Sequence, residues 1–465
     1  MTSQINVVIL AAGLGTRMKS KRAKVLHRAG GMTLIEHVVQ ASSAIASSPH
    51  TSVVVGHQAD QVRALLAPSG VRFVDQVEQK GTGHALLACR ESLASEPGLV
   101  VVLYGDCPLL SPATLTELVR RQASSDAAGD VAATLITTRL DDPTGYGRIV
   151  FGEKGDVRAI VEHKAATPAQ LAIPFINSGI YCFRADLLWK HLVEIRPDNP
   201  AHEYYLTDIV EILGRAGHTV AAMEVENSAE LLGINTRVEL AEVDKIFRER
   251  KVQELMLAGV TIEKPETVTI DSGVRIGEDS IVGPFAQILG RTEIGEDCRI
   301  GACSIVQDSM LASGVEIAPF TSVVDSHIES SAIVGPFARL RPGNRVGKNA
   351  RIGNFVELKN TRLGAGAKAN HLAYLGDSEI GDHTNIGAGT ITCNYDGVNK
   401  HKTHIGKDAF VGSNSTLVAP LQIGDGSYIG AGSVITHPVP SDALALGRSR
   451  QVNKEGWAAK RKKKK

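Results

Sequence analysis

Aromatic residues make up only 4% of this 465-residue sequence, and other features are missing altogether. No apolar run approaches the roughly 18 residues that a membrane-spanning helix requires, which excludes that class of protein. The six cysteines include no CxxC pair and no secretory leader precedes them, so we expect reduced thiols and a cytoplasmic protein. With 43% hydrophobic and 22% charged residues, the composition is that of a folded chain of two or three domains.

The formal net charge is zero, because 50 basic residues balance 50 acidic ones. Six of the basic residues lie in the tail 460–465, which leaves 44 basic against 50 acidic groups in the rest of the chain. We interpret this tail as a solvated end, with binding of an anionic ligand or partner as the alternative. The sequence predicts no nucleic-acid partner.

Glycine, in contrast, is frequent, with 46 residues, and part of it belongs to a six-residue repeat. The aliphatic positions of this repeat are Ile405, Val411, Leu417, Ile423, Ile429 and Ile435, and glycine directly follows four of them. A period of six is too short for a helical repeat and too long for strand alternation, but it suits one side of a three-sided coil. The sequence therefore predicts a left-handed parallel β-helix of hexapeptide repeats, which is stable only as a stack of coils.

The same period occurs earlier, over Ile276–Ile300 and, in a shifted frame, over Ile328–Leu358. Two intervals break it, because Leu363–Ile380 is 17 positions long and Ile386–Ile405 is 19, and neither number divides by six. We therefore predict insertions at both places. Insertions on solenoids map to loops, which often lie on the binding face.

The first half alternates short apolar runs with segments of helical spacing, which predicts an α/β domain with a Rossmann-like, mostly parallel sheet. The run Ile5–Leu10 leads into the glycine-rich stretch Ala11–Met18, whose backbone N–H groups suit an anion, with Arg17 and Lys24 as cations. A βα turn with incidental basic neighbours is the alternative. The third glycine of a dinucleotide fingerprint and the GK[ST] of a P-loop are both missing.

Polar residues follow other predicted strands, where ligands of such sheets bind. Asp106 ends a buried run and suits Mg²⁺ at a triphosphate, although an aspartate that caps the next segment is the alternative. The amide of Gln76 can pair with the edge of a pyrimidine, with a solvated glutamine as the alternative. Glu162 and Asn177 can bond the hydroxyl or acetamido groups of a sugar beside Gly147, and three surface turns are the alternative.

The helical and heavily charged spacing of residues 237–259 predicts a linker helix. It would join a first domain, 1–236, to a solenoid domain, 260–465, that Pro265 introduces.

Around the predicted insertions lie polar residues that suit a second site. Arg341 and Lys359 are cations that fit a phosphate. His371 can remove a proton from an attacking amine, because histidine titrates near neutral pH; a structural loop histidine is the alternative.

The stretches Leu10–Met18 and Lys24–His27 resemble the signature loop of the sugar-nucleotide pyrophosphorylases, with Ala23 where that family usually has proline. The resemblance implies a site for UTP and UDP-N-acetylglucosamine made of Leu10, Ala11, Ala12, Gly13, Lys24, Gln76, Gly81, Thr82, Tyr104, Gly105, Asp106, Gly147, Glu162, Asn177 and Asn235. It implies catalytic roles for Arg17 and Lys24, and Mg²⁺ held by Asp106 and Asn235.

The whole chain resembles the bifunctional N-acetylglucosamine-1-phosphate uridylyltransferases and glucosamine-1-phosphate N-acetyltransferases. The matching stretches of the solenoid are Leu340–Gly343, Gly353–Lys359, His371–Asp377 and Asn385–Gly397. The resemblance implies a homotrimer that acetylates glucosamine 1-phosphate with acetyl-coenzyme A, with His371 as the base. It would then join the product, N-acetylglucosamine 1-phosphate, to UMP from UTP.

The resemblance also assigns the remaining site residues of the solenoid. Glucosamine 1-phosphate would be bound by Arg341, Lys359, Tyr374 and Asn385, and acetyl-coenzyme A by Ala388, Asn394, Tyr395, Ser413, Ala431 and Arg448. The alternative function is that of a nucleotidyltransferase with a single activity, whose solenoid only trimerises or regulates.

Overall fold

The structure is a computed structural model that describes residues 4–127, 131–199 and 201–462. The chain divides into two compact units, Met1–Phe247 and Arg248–Lys465. Of the basic tail, residues 460–462 belong to a short helix, and residues 463–465 lie outside the described residues. Among the described residues, no helix is long and apolar enough to cross a membrane.

The first unit is built on a mostly parallel sheet, as predicted. Its strands are β1 (Ile5–Leu10), β2 (Arg28–Ala29), β3 (Met32–Thr33), β4 (Thr51–Val55), β5 (Arg72–Asp75), β6 (Leu99–Tyr104), β7 (Val131–Arg139), β8 (Arg148–Phe151), β9 (Val157–Val161), β10 (Phe175–Arg184) and β11 (Thr219–Glu224). The order across the sheet is β11-β7-β10-β6-β1-β4-β5, with β8 paired to β10 and β9 paired to β8, while β2 and β3 form a separate hairpin. Strand β1 is parallel to β4 and β6, whereas β10 is antiparallel to β6 and β7. The carboxyl ends of β1 and β6 therefore meet at one edge of the sheet.

Helices cover both faces of this sheet and bury an apolar cluster on each side. They are α1 (Leu34–Ser42), α2 (Ala59–Leu66), α3 (Thr82–Leu87), α4 (Arg90–Leu93), α5 (Pro112–Ala127), α6 (Pro168–Leu171), α7 (Ala185–His191), α8 (Ile209–Arg215) and α9 (Arg237–Leu257). Strands such as β1 are runs of aliphatic residues because both of their faces are covered. In α9, Val243 is buried, and Leu240, Ile246 and Phe247 pack in the same apolar cluster.

The second unit is a left-handed parallel β-helix, as the six-residue period predicts. Its first face contains Thr261–Ile262, Ile281–Val282, Arg299–Ile300, Glu316–Ile317, Ile333–Val334, Arg351–Asn354, Lys368–His371, Asn385–Ile386, Phe410–Val411, Tyr428–Ile429 and Leu444–Ala445. The second face contains Thr269–Ile270, Gln287–Leu289, Ile305–Gln307, Ser322–Val324, Arg339–Leu340, Glu357–Lys359, Tyr374–Gly376, Ile391–Cys393, Thr416–Val418 and Val434–Ile435. The third contains Arg275–Ile276, Glu293–Ile294, Met310–Leu311, Ser326–Ile328, Asn344–Val346, Arg362–Leu363, Ser378–Ile380, Thr403–Ile405 and Leu421–Ile423. A last helix, α10, spans Trp457–Lys462.

The repeat residues have the places that the pattern predicts. The six aliphatic side chains of the run from Ile405 to Ile435 are all buried in one continuous core. A glycine follows where coils stack most closely, since a Cβ added to Gly412 would lie 2.5 Å from the backbone nitrogen of Ala431 in the next coil. Any side chain at Gly412 would push two coils apart.

The prediction of an insertion between Leu363 and Ile380 is wrong. The interval Leu363–Ile380 is a regular coil of 17 positions, as long as the coils Ile294–Leu311 and Leu311–Ile328. The period breaks there because the corner between the second and third faces is one residue shorter, not because a loop has been added. The other prediction is correct: residues 394–402 form an inserted loop between Ile391–Cys393 and Thr403–Ile405.

The linker and the start of the solenoid also differ in detail from the prediction. The helix predicted over 237–259 spans Arg237–Leu257, and the division between the units falls inside it, after Phe247. The first solenoid strand, Thr261–Ile262, precedes Pro265, so this proline lies within the first coil and does not introduce it. The domain boundaries at 236 and 260 stay a prediction.

Candidate active sites

A cavity of about 490 Å³ opens at the edge of the sheet where β1 and β6 end. It brings together many of the predicted residues, namely Leu10, Ala11, Ala12, Gly13, Arg17, Lys24, Gln76, Gly81, Thr82, Tyr104, Asp106 and Asn235. The glycine-rich stretch bends sharply at Gly15, where φ is +61° and an added Cβ would lie 2.8 Å from the Cβ of Lys24. Gly105 is not in the lining; its backbone N–H donates to the carbonyl of Leu10 and ties the two strand ends together.

The loop before Lys24 is held without the proline that the pyrophosphorylase family usually has there. Ala23 has φ of −55°, close to the value that a proline ring imposes. Its backbone N–H donates to Gln58 Oε1 at 2.7 Å, a bond that proline could not make, and Gln58 Nε2 donates to the carbonyl of Lys21. A side-chain clamp from Gln58 therefore replaces the stiffness of the ring.

The predicted metal ligands converge on one cation of the chain. The ammonium of Lys24 forms an ion pair with Asp106 Oδ2 and also lies 3.1 Å from Asn235 Oδ1. Arg17 donates to the same Asn235 oxygen at 2.8 Å. Two hard oxygen atoms directed at one positive charge suit Mg²⁺, which takes one or two protein ligands and completes its shell with phosphate and water. The described residues contain no group of three or more His, Cys, Asp or Glu that could hold a metal ion.

Asn235 is placed by the start of α9. Glu239 Oε2 accepts the backbone N–H groups of Asn235 at 2.6 Å and Thr236 at 2.7 Å, and the hydroxyl of Thr236 accepts from the N–H of Glu239. This reciprocal arrangement is a capping box, and it fixes the entry of the helix. Asn235 Nδ2 donates to the carbonyl of Gly233, which turns Oδ1 toward Lys24.

The predicted base-reading residues lie on the turn between β5 and α3. Gln76 is buried, and its Nε2 donates to the carbonyl of Gly81 at 3.1 Å. Gly81 has φ of +107°, and an added Cβ would lie 2.6 Å from the carbonyl oxygen of Tyr204, so only glycine fits. Thr82 Oγ1 accepts the backbone N–H of Leu206.

Gly147, Glu162 and Asn177 form a second group beside the cavity. A Cβ added to Gly147 would lie 3.6 Å from Asn177 Cβ and 3.7 Å from Glu162 Oε1. Burial raises the pKa of Glu162, and the nearby Glu203 carboxylate adds to this, while a hydrogen bond from Thr207 opposes it. The group therefore combines a carboxyl, an amide and the backbone of a glycine that has no side chain, which suits hydroxyl and amide groups.

In the solenoid, His371 is exposed and lies at the corner between the first and second faces. Its Nδ1 lies 2.9 Å from Asn354 Oδ1, one coil below. With the amide oxygen as acceptor, Nδ1 carries the proton and the lone pair of Nε2 is left to accept another. The arrangement fits a general base whose tautomer a neighbour sets.

A buried carboxylate joins two other predicted residues of the solenoid. Asp377 accepts from Lys359 Nζ at 3.4 Å, from Asn360 Nδ2 at 2.8 Å and from Asn394 Nδ2. Burial alone would raise the pKa of Asp377, but the amide donors and the Lys359 charge together hold it below its usual value. Asp377 therefore fixes Lys359 at one end and the base of the inserted loop at the other.

The remaining predicted residues lie at other positions of the solenoid and of the chain that follows it. Arg341 is paired with Glu357 at 3.2 Å and is 42% exposed. Tyr374 and Asn385 start strands of the second and first faces. Ala388, Ser413 and Ala431 follow first-face strands in three successive coils, Tyr395 is exposed in the inserted loop, and Arg448 is exposed near the end of the chain.

Sequence reasoning did not single out Gln58, Glu239, Asn354 or Asp377. A signal for the last two exists, because residues one coil apart are in contact. Asn354 precedes His371 by 17 positions, and Asp377 precedes Asn394 by the same number. Glu239 also has a signal, since it follows Thr236 at the T-x-x-E spacing of a capping box, whereas no comparable spacing marks Gln58.

Comparison with known proteins supports the predicted fold of both halves of the chain. Residues 7–172 match the MobA-like NTP transferase domain family, and residues 273–308 and 402–437 match the bacterial transferase hexapeptide family. The bifunctional protein GlmU of Solibacter usitatus is 60% identical over 463 residues, covering 100% of this chain and 98% of that protein. The proteins of the same name from Koribacter versatilis, 50% identical, and Alkaliphilus metalliredigens, 45% identical, each cover 98% of this chain and at least 97% of their own length. The chain therefore belongs to the family of bifunctional GlmU proteins.

Proposed function

We propose that this protein makes UDP-N-acetylglucosamine from glucosamine 1-phosphate in two steps, each in its own unit. The solenoid transfers an acetyl group from acetyl-coenzyme A to the amine, and the first unit then transfers UMP from UTP to N-acetylglucosamine 1-phosphate and releases pyrophosphate. The observation that carries this proposal is the similarity to bifunctional relatives along the whole chain, not along one half. It disfavours the alternative of a nucleotidyltransferase with a single activity and an inert solenoid.

In the acetyl transfer, His371 Nε2 accepts the proton of the amine as its nitrogen attacks the thioester carbonyl, and the coenzyme A thiolate leaves. Asn354 keeps the imidazole in the tautomer that can do this. Arg341 and Lys359 bind the phosphate of the amino sugar, with Tyr374 and Asn385 beside it. Lys359 is oriented by Asp377, so its ammonium has a fixed direction of approach.

Acetyl-coenzyme A would lie along the corner that carries Ala388, Ser413 and Ala431. These small residues recur at the same place in three successive coils, and Asn394 and Tyr395 would contact the same coenzyme. Arg448 carries a positive charge that suits the phosphates of the coenzyme.

In the uridylyl transfer, the sugar phosphate oxygen displaces pyrophosphate in line from UTP. The backbone of Ala11 to Gly13 holds the phosphates, and Arg17 and Lys24 stabilise the charge that develops on them. Gln76, Gly81 and Thr82 would bind the base, while Gly147, Glu162 and Asn177 would bind the sugar. Asp106 and Asn235 would hold Mg²⁺, which supplies further charge stabilisation at the triphosphate. No enzyme nucleophile is needed, because positioning and charge suffice.

A homotrimer and a cytoplasmic location belong to the same proposal. Phe320, Phe337 and Phe355 stack along one corner of the solenoid with ring centroids 5.2 and 5.5 Å apart, and they are 53%, 47% and 56% exposed. A contiguous exposed apolar ridge of this kind supports association between copies. The location follows from the substrates, since UTP and acetyl-coenzyme A are cytoplasmic metabolites.

The test follows both products in one reaction with glucosamine 1-phosphate, acetyl-coenzyme A, UTP and Mg²⁺. Free thiol reports the first step and pyrophosphate the second. We expect both, with pyrophosphate release dependent on acetyl-coenzyme A. Pyrophosphate release from added N-acetylglucosamine 1-phosphate, with no thiol release from glucosamine 1-phosphate, would favour the alternative.

A further inference from the structure

An irregularity in β10 lies directly beside the proposed sugar site. The pairing of β10 with β7 shifts register between Asn177 and Tyr181, and Gly179 between them has φ of +79°. In a regular strand, residues four positions apart are separated by about 13 Å. Here the Tyr181 hydroxyl lies 3.0 Å from Asn177 Oδ1, because the bulge brings the two side chains together.

The contacts of this bulge determine which way the Asn177 amide faces. The backbone N–H of Gly179 lies 3.1 Å from Asn177 Oδ1, and a backbone N–H can only donate, so the atom that faces it must be the oxygen. The hydroxyl of Tyr181 donates to the same oxygen. No hydrogen bond within the described part of the chain uses Asn177 Nδ2. The amide therefore offers a donor, not an acceptor, to the space beside Gly147 and Glu162.

Tyr181 is itself held rigidly. Its side chain is 1% exposed, and its ring stacks on Phe183 with centroids 5.4 Å apart. Burial raises the pKa of Tyr181 well above its usual value, so the hydroxyl stays protonated and remains a donor. Only glycine fits at the bulge, because a Cβ at Gly179 would lie 2.4 Å from the ring of Tyr104.

We propose that Tyr181 is a positioning residue for N-acetylglucosamine 1-phosphate, because its hydroxyl locks the Asn177 amide with Nδ2 directed toward the sugar. The partner of Nδ2 would be an acceptor oxygen of the substrate, a hydroxyl or an amide carbonyl. The proposal rests on the proposed uridylyl transfer. It differs from a purely structural role, in which the hydroxyl only satisfies its own burial.

The experiment is a double-mutant cycle with Tyr181→Phe, Asn177→Ala and the double variant, each measured in pyrophosphate release. Phenylalanine keeps the ring and its stacking and removes one oxygen. We expect Tyr181→Phe to raise KM for N-acetylglucosamine 1-phosphate about three- to tenfold, the range of one hydrogen bond, with KM for UTP unchanged. On the Asn177→Ala background, Tyr181→Phe should change neither KM, because the group that it positions is gone.

Asn177→Asp tests whether the sugar requires a hydrogen-bond donor or an acceptor at this position. One carboxylate oxygen can still accept from Tyr181 and Gly179, but the other then presents an acceptor to the sugar. We expect this variant to raise KM for the sugar phosphate more than Tyr181→Phe does.

Three results would overturn the proposal. The first is an equal effect of Tyr181→Phe on both KM values. The second is a double variant in which the effects of the two single changes multiply. The third is loss of the fold in Tyr181→Phe, since the hydroxyl would then be structural. Failure of the proposed function is distinguishable, because the unaltered protein would then release no pyrophosphate at all.

Discussion

Replacement of His371 by alanine tests the acetyl-transfer site most directly. If Nε2 accepts the proton of the amine, its loss should lower acetyl transfer by about two to four orders of magnitude, the contribution of a positioned general base. At about 1.36 kcal/mol for each factor of ten, that is roughly 3–5 kcal/mol of activation free energy. Release of free thiol from acetyl-coenzyme A, with glucosamine 1-phosphate as acceptor, measures it.

The structure predicts that the fold survives this change. The His371 side chain is exposed and its one described hydrogen bond goes to Asn354, so the free energy of unfolding should fall by only about 0.5–1.5 kcal/mol. KM for acetyl-coenzyme A and the uridylyl transfer should stay as they are. A surface histidine on the third face, His404, pairs with Glu379 at 3.3 Å, and His404→Ala is the matched control that should keep full activity.

Asn354→Ala separates orientation from base chemistry. It leaves the imidazole in place and removes only its acceptor, so we expect a loss of about tenfold, well below that of His371→Ala. Acetyl transfer within threefold of the unaltered protein in His371→Ala would refute the reasoning, because the histidine would then be structural. The base would have to be another group of the same corner.

Three further predictions concern the metal, the oligomer and pH. Asp106→Asn, like removal of Mg²⁺ with a chelator, should lower pyrophosphate release more than 100-fold and leave thiol release unchanged; near-normal pyrophosphate release would contradict the ligand assignment. A chain of residues 1–257 should be a folded monomer by light scattering, and a trimer would contradict the role of the solenoid. Burial, with the nearby Glu211 and Glu162 charges, raises the pKa of Asp208 from 3.8 to about 6, so its charge destabilises the fold increasingly as pH rises from about 4 through 6. Asp208→Asn should therefore raise the free energy of unfolding by about 1–2 kcal/mol at pH 7.5, after allowance for solvent screening, and urea denaturation should show no gain at pH 4.

The architecture could be predicted from the sequence because the aliphatic residue of each repeat shows which positions face the core. The aliphatic residue of each hexapeptide must face the core, so its period reveals the three faces before any coordinate is known. The number of residues at each corner of the coil cannot be read from the period in the same way. The step from Leu375 to Ile380 has five positions, whereas that from Leu340 to Val346 at the same corner has six, and this difference made a regular coil resemble an insertion.

The sites could be predicted as sets of residues but not as arrangements. Glycine-rich loops and strand ends indicate where a ligand binds, which is why the residues of the first cavity could be named. The direction of the Asn177 amide depends on the bulge in β10, which the residue types of the sequence do not predict. The same holds for Gln58, whose contact with Ala23 joins parts of the chain 35 positions apart.

In both sites a lysine that suits a phosphate is held by a carboxylate, but the two carboxylates differ in freedom. Asp106 accepts from Lys24, and Asn235 Oδ1 accepts from Lys24 and Arg17, so another cation can take these oxygen atoms and leave both basic side chains to the phosphates. Asp377 is bound by two amide donors besides Lys359, and its side chain cannot turn to a new ligand without losing both. A divalent cation therefore has a place to bind in the first site and none beside Lys359. This difference is the physical reason to expect metal dependence in uridylyl transfer and not in acetyl transfer.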